Sequence, residues 1–187
     1  MKTTFILHGG FGRGASDVDK SSFYSDILKD APEGAHVLLV CFAKEDDRVD
    51  QATEKVRAEF LAAKLQQHIH FAVAEKETFA EQVKSADIVY FHGGTTLRLL
   101  NSLRQFPDLK KWLRGKLVAG ESAGANVWCT TFYSPSADVV ENGLAFLPIK
   151  IIPHYTDAFQ GMLDNVGEGL EELLLPEYQY KTFTVGL

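Results

Sequence analysis

The chain has few of the features that mark secreted, membrane or nucleic-acid-binding proteins. It contains 2 cysteines among 187 residues, which excludes a disulfide framework and predicts two reduced, buried thiols. No apolar run approaches the ~20 residues of a membrane span. The net charge is −6 and the basic residues are scattered, which argues against nucleic acid and anionic membranes as partners.

The sequence also lacks metal-ligand spacing and a recognisable targeting segment. Its histidines and carboxylates form no motif such as H-E-x-x-H, so we expect neither a metal nor a cofactor. The first apolar stretch, residues 4–7, is too short for a signal peptide, and a cytoplasmic location is expected. With 45% hydrophobic residues the chain can bury one core, and we expect residues 1–187 to form a single domain.

Short apolar runs alternate with helical patterns along the chain. Strands are predicted at residues 3–8, 36–42, 69–74, 88–91, 117–120 and 149–153, and helices at 21–29, 46–67, 78–84 and 95–104. A glycine-rich loop, residues 9–14, follows the first strand. This alternation predicts an α/β fold with a mostly parallel sheet and helices on both faces. Such sheets place their chemistry at the carboxyl ends of strands.

The most informative segment is Gly120-Glu121-Ser122-Ala123-Gly124, which directly follows a predicted strand and begins a small-residue helix. A serine on such a sharp turn needs neighbours with almost no side chain, and Gly120 and Gly124 meet that need. The pattern is the G-x-S-x-G nucleophile elbow. A tight structural turn is the alternative interpretation, but the position between strand and helix favours a catalytic serine.

A serine nucleophile needs a base and donors for the developing oxyanion. His154 follows the predicted strand 149–153 and is the strongest candidate for the base, because its strand end should lie near the elbow. Gly93 and Gly94 form a second glycine turn before a predicted helix. The amides of Gly94 and Ala123 are the candidate oxyanion donors, with Gly93 beside them as a further substrate-binding position.

Three segments in order resemble a known family. The segments beginning at Gly93, at Gly120 and at Pro153 (GGTTLRLL, GESAGAN and PHY) are similar to signature segments of the S51 serine peptidases, which include aspartyl dipeptidases and cyanophycinases. The resemblance implies a class I glutamine amidotransferase-like fold, a flavodoxin-like three-layer sandwich. It also implies Ser122 as nucleophile, His154 as base, and Gly94 and Ala123 as oxyanion donors.

The chain departs from the family pattern at the catalytic acid. The resemblance places the acid after a helix, here predicted at 167–175, and a following strand, predicted at 180–187, and the given chain has no carboxylate there. Asp157, three residues beyond His154, is taken as the candidate third member of the triad, and Glu121 is the other possibility. Without such a group the imidazole loses its orienting partner.

The second departure concerns the substrate. Aspartyl dipeptidases hold the substrate carboxylate with an arginine beyond the histidine, whereas the given chain has no arginine after Arg114, and Lys181 would be a weaker replacement. The leading hypothesis is a hydrolase that cleaves a short peptide or small amide through an acyl-enzyme on Ser122. The alternatives are a catalytically impaired binding or regulatory module, and an esterase or amidase for a non-peptide substrate. A homodimer is left open as an oligomeric state.

Overall fold

The computed structural model of the protein describes residues 1–12, 17–63 and 68–187. The last part of the glycine-rich loop (13–14) and the predicted end of the long helix (64–67) lie outside the described residues. No helix in the described part of the chain is both long and apolar enough to cross a membrane.

The described residues contain a large sheet with six strands in the order β10-β1-β5-β4-β2-β3. These strands are β1 (Lys2–His8), β2 (Ala35–Val40), β3 (Ile69–Val73), β4 (Ile88–Phe91), β5 (Leu117–Glu121) and β10 (Tyr180–Gly186). β10 pairs antiparallel with β1, and the other pairs are parallel. The carboxyl ends of β1, β4 and β5 therefore meet at one edge.

A second, four-stranded sheet has the order β7-β6-β8-β9. Its strands are β6 (Cys129–Ser134), β7 (Val139–Asn142), β8 (Leu147–Pro153) and β9 (Glu171–Leu175). β7 is antiparallel to β6, and the other pairs are parallel. The sequence patterns predicted only β8 of this sheet. They did not predict that the strands divide into two sheets.

The helices are α1 (Asp17–Leu28), α2 (Val49–Ala63), α3 (Phe79–Ser85), α4 (Thr96–Leu103), α5 (Leu109–Trp112) and α6 (Ala123–Asn126). A 3-10 turn, Asp46–Arg48, replaces the first turn predicted for the long helix. A second 3-10 turn, Asp157–Phe159, follows β8.

The large sheet has an apolar core on each face, because alternate residues of its strands point to opposite sides. On one face, Ile6 and Tyr90 pack with α1 and α2 in one buried cluster. On the other face, Phe5 and Phe91 pack with α3 to α6 and with the second sheet. The mostly parallel sheet, helices on both faces and layered packing confirm the predicted α/β class.

The helix predicted at residues 167–175 is wrong. Gly167 (φ 60°) and Gly169 (φ 76°) adopt left-handed conformations that no α-helix contains. Residues Glu171–Leu175 instead form β9, which pairs with β8. Leu173 and Leu175 are buried in alternation with the exposed Leu174, so packing against the core overrides the helix propensity of a Glu- and Leu-rich segment.

Helix α4 offers a direct test of the core. Leu103 is 1% exposed and Leu97, on the same helix, is 37% exposed. We expect Leu103→Ala to lower the free energy of unfolding by about 2–5 kcal/mol, because it leaves a cavity in a packed core. Leu97→Ala should change it by about 0.5 kcal/mol or less. Urea denaturation measures both, and equal losses would contradict the described orientation of α4.

Candidate active site

Ser122 lies on a sharp turn between β5 and α6. Its backbone is at φ 51°, ψ −108°, a left-handed conformation that is strained for a residue with a side chain. A Cβ on Gly120 would overlap the backbone of Gly124, and a Cβ on Gly124 would overlap the carbonyl of Phe91. The two glycines therefore allow the turn to form, as the elbow pattern requires.

His154 lies within hydrogen-bonding distance of both Ser122 and a carboxylate. Its Nε2 is 3.0 Å from Ser122 Oγ, and its Nδ1 is 2.9 Å from Glu177 Oε1. The side chains of His154 and Glu177 are 32% and 39% exposed, so both reach solvent at the mouth of the site. Hydroxyl, imidazole and carboxylate thus form one continuous chain.

The three side chains come from both sheets. Ser122 follows the large sheet, His154 follows β8 of the second sheet, and Glu177 lies between β9 and β10. His154 has a left-handed backbone (φ 52°), and its N–H donates to Gly9 O at 2.8 Å. The strand ends therefore converge and bring Ser122 and His154 into contact.

The acid predicted from the sequence requires a correction. The structure places Glu177 at Nδ1 of His154, whereas Asp157 is exposed on a 3-10 turn just after β8. Glu121, the other possibility, is buried beside His92 instead. Sequence reasoning missed Glu177 because it treated residues 167–175 as a helix and looked for the acid after the next strand. A carboxylate two residues after the apolar run 173–175, separated from it by Pro176, was the available signal.

The second glycine turn lies beside the elbow. Gly94 (φ 154°) passes so close to Ala43 that a Cβ would come within 2.5 Å of the Ala43 carbonyl oxygen. The N–H of Gly93 donates to Glu121 Oε1 at 3.4 Å, so this amide points to a buried carboxylate. Ala123 is the first residue of α6 and follows Ser122 directly. Gly94 therefore lines the same cavities as Ser122, Ala123 follows Ser122 in the chain, and the amide of Gly93 is directed to Glu121 instead.

A buried carboxylate–imidazole pair supports this turn. Glu121 Oε1 lies 2.7 Å from His92 Nδ1, and their side chains are 9% and 12% exposed. Burial alone would raise the pKa of Glu121, but the contacts with His92 and with the Gly93 amide outweigh it and hold the pKa below the usual value. The carboxylate is therefore ionised at neutral pH and ties the elbow to the turn after β4.

Two cavities are lined by both Ser122 and His154. The first, which we call the lysine cavity, has a volume of about 270 Å³, and its charged lining residues are Lys20, Lys44, Lys55, Glu59 and Glu121. The second, which we call the hydroxyl cavity, has a volume of about 480 Å³, and its polar lining residues include Thr96, Asn126, Ser134 and Ser136. In the lysine cavity Lys20 lies 3.7 Å from Glu59.

The described residues show neither a metal site nor a reactive thiol near Ser122. No group of three or more His, Cys, Asp or Glu side chains there is arranged to hold a metal ion. Cys41 and Cys129 are both buried and unpaired. Burial raises the pKa of the Cys41 thiol to about 11 and that of Cys129 further still, so both remain protonated at neutral pH.

Comparisons with known proteins bear on the fold and on the family. Among solved structures, the fold is similar to a crystal structure of a Listeria monocytogenes EGD-e protein provisionally named peptidase E, with a TM-score of 0.70 and 16% identity, covering 100% of both chains. It is also similar to a peptidase from an acI-B1 Actinobacterium, with a TM-score of 0.67 and 21% identity, covering 100% of this chain and 88% of that one. At these identities the likeness shows the fold.

Sequence relatives include peptidase E of a Nostoc species, which is 31% identical over 65% of this chain and 53% of its own length. Peptidase E of Salmonella arizonae is 34% identical over 42% of this chain and 38% of its own length. The chain thus spans about half or less of the curated relatives it matches. The family profile described as peptidase family S51 matches residues 10–174. Since this match takes in the elbow, the second glycine turn and His154, the chain belongs to peptidase family S51.

Proposed function

We propose that this protein is a serine hydrolase of the peptidase type, which cleaves a short peptide or small amide through an acyl-enzyme on Ser122. The observation that carries the proposal is the continuous chain of Ser122, His154 and Glu177, with contacts of 3.0 Å and 2.9 Å. A nucleophile, a base within reach of it and a third group that orients the base are the parts such catalysis needs. Family membership supports the same reaction class.

In the proposed mechanism His154 acts first as base and then as acid. Its Nε2 takes the proton of Ser122 Oγ as the oxygen attacks the scissile carbonyl, and later gives that proton to the leaving amine. Glu177 accepts the Nδ1–H, which fixes the tautomer with a free Nε2 and stabilises the imidazolium. Water then attacks the acyl-enzyme by the same route and releases the acid product.

The oxyanion of the tetrahedral intermediate needs fixed donors. We assign this role to the backbone amides of Gly94 and Ala123, which flank Ser122. The rigid approach of Gly94 to Ala43 and the start of α6 at Ala123 fix these amides before substrate arrives. Such preorganised donors lower the barrier because they do not have to reorient as charge develops. The Gly93 amide is already used by Glu121 and takes no part.

We place the scissile bond of the substrate at the boundary between the two cavities. Each adjoins both Ser122 and His154, so a substrate bound across them places its carbonyl at the serine. Volumes of about 270 Å³ and 480 Å³ suit residue-sized groups rather than a folded protein. The substrate is therefore a short peptide or small amide, with one side next to ammonium groups and the other next to hydroxyls.

The alternative of a catalytically impaired binding module is less well supported. That hypothesis was motivated by the missing acid and the missing arginine, and the carboxylate of Glu177, 2.9 Å from His154 Nδ1, supports Glu177 as the acid. The absent arginine bears on which substrate binds, whereas it does not affect the hydroxyl–imidazole–carboxylate chain. A hydrolase is therefore the better explanation of these residues.

The nucleophile can be tested without knowing the substrate. A fluorophosphonate forms a Ser Oγ–phosphorus bond with loss of fluoride only when the serine is activated. We expect stoichiometric labelling at Ser122, located by peptide mass spectrometry, and no labelling of Ser122→Ala. Ser134→Ala, which alters the hydroxyl cavity, is the matched control and should still be labelled. An unlabelled wild-type protein, or labelling at another serine, would show the proposal to be wrong.

The acid can be tested by comparing two carboxylates. We expect Glu177→Gln to lower the rate at which the fluorophosphonate phosphonylates Ser122 by about 10²- to 10⁴-fold, because the amide cannot stabilise the imidazolium. Asp157→Asn, on the exposed turn, should stay within about twofold of wild type, as surface changes away from a site usually do. Stopped-flow kinetics of the fluorophosphonate reaction measure the rates of both variants. A larger loss in Asp157→Asn would return the role to Asp157.

A further inference from the structure

Three consecutive residues at the end of β1, residues 8–10, hydrogen-bond to the backbone at Ser122, at His154 and next to Glu177. The carbonyl of His8 accepts the N–H of Ser122 at 2.9 Å, and the carbonyl of Gly9 accepts the N–H of His154 at 2.8 Å. The carbonyl of Gly10 accepts the N–H of Tyr178, the residue after Glu177, at 3.0 Å. We call residues 8–10 the bridging segment, since it joins elements from both sheets.

The bridging segment fits so closely that its shape leaves little freedom. A Cβ on Gly9 would overlap the carbonyl of Pro176, and a Cβ on Gly10 would overlap the His154 ring. Gly10 adopts φ 108°, which residues with side chains rarely reach. The distance between the imidazole and its two partners therefore depends on the path of the backbone through these glycines.

The side chain of His8 forms a hydrogen bond within the bridging segment. Its Nδ1 accepts the N–H of Gly10 at 2.9 Å, across one intervening residue. The ring is buried completely, with centroids 4.2 Å from Phe11 and 4.4 Å from Phe23, and it stacks on Tyr180. Packing fixes the ring, and the ring in turn fixes the Gly10 amide.

A nitrogen that accepts an N–H carries no proton of its own, so the His8 ring must be neutral with its hydrogen on Nε2. Burial lowers the pKa of His8 to about 4, which agrees with a neutral ring over the range in which a peptidase of this type would work. Nε2 has no hydrogen-bond partner in the described part of the chain. The Nδ1 contact is thus the polar interaction that this buried side chain contributes.

We propose that His8 is a positioning residue of the active site, which acts through Gly9 and Gly10 to align the imidazole of His154 with Ser122 and Glu177. The proposal rests on the proposed hydrolase function. Loss of the Nδ1 acceptor frees the bridging segment, and a shift of ~1 Å in a catalytic group can cost about 10²-fold in rate. The affinity for the reagent should change less than the rate, because most of the residues that line the two cavities lie outside the bridging segment.

Two variants with the same functional group separate positioning from general disruption. In His8→Asn the amide oxygen is attached to Cγ, as Nδ1 is, and can still accept the Gly10 N–H. In His8→Gln the oxygen lies one carbon further out, at the depth of Nε2, and cannot. We expect the maximal rate of Ser122 phosphonylation by the fluorophosphonate to fall about 10- to 100-fold in His8→Gln and at most about fivefold in His8→Asn. The half-saturating reagent concentration should stay within about threefold in both.

Phe23→Leu is the matched control, because it loosens the packing around the same ring and leaves the Nδ1 contact in place. It should lower the melting temperature and leave the maximal rate of phosphonylation near that of wild type. Equal rates for His8→Asn and His8→Gln, or a loss in Phe23→Leu as large as in His8→Gln, would overturn the proposal. If the wild-type protein itself is not labelled, the hydrolase function fails first, and the role of His8 fails with it.

Discussion

The buried ring of Trp128 packs between the two sheets, and the relative position of Ser122 and His154 depends on that packing. Trp128 lies two residues after α6 and is completely buried. Its ring packs against Phe5 and Phe91 of the large sheet, at centroid distances of 5.6 Å and 4.6 Å, and against Phe146, just before β8, at 5.4 Å. Aromatic contacts of this size dominate the energetics of a core. Ser122 and His154 therefore approach each other across an interface that the tryptophan fills.

The sequence was informative where local sterics determine the backbone. Gly120 and Gly124 can be read as an elbow because side chains at those positions would overlap the backbone, whatever the rest of the fold does. The strands of the large sheet were likewise recognisable from continuous apolar runs, which are typical of parallel strands covered on both faces. His154 followed from its place at the end of one such run.

The sequence was uninformative where long-range pairing decides. Residues Glu171–Leu175 have the composition of a helix and become a strand because β8 offers them an edge and a core. That single change moves Glu177 from the end of a helix to a loop at the carboxyl edge, beside His154. Gly93 shows a subtler limit, since a glycine pattern cannot indicate that its amide is bound by the buried carboxylate of Glu121.

Ser122 and His154 share a strained backbone conformation. Both residues hold a left-handed backbone, at φ 51° and φ 52°, and such conformations cost on the order of 1–3 kcal/mol each in a residue with a side chain. Glycine would adopt them without that cost. Replacing either residue with glycine would therefore relieve the strain and remove a reacting group of the proposed mechanism. Stability and the proposed chemistry make opposite demands at these two positions.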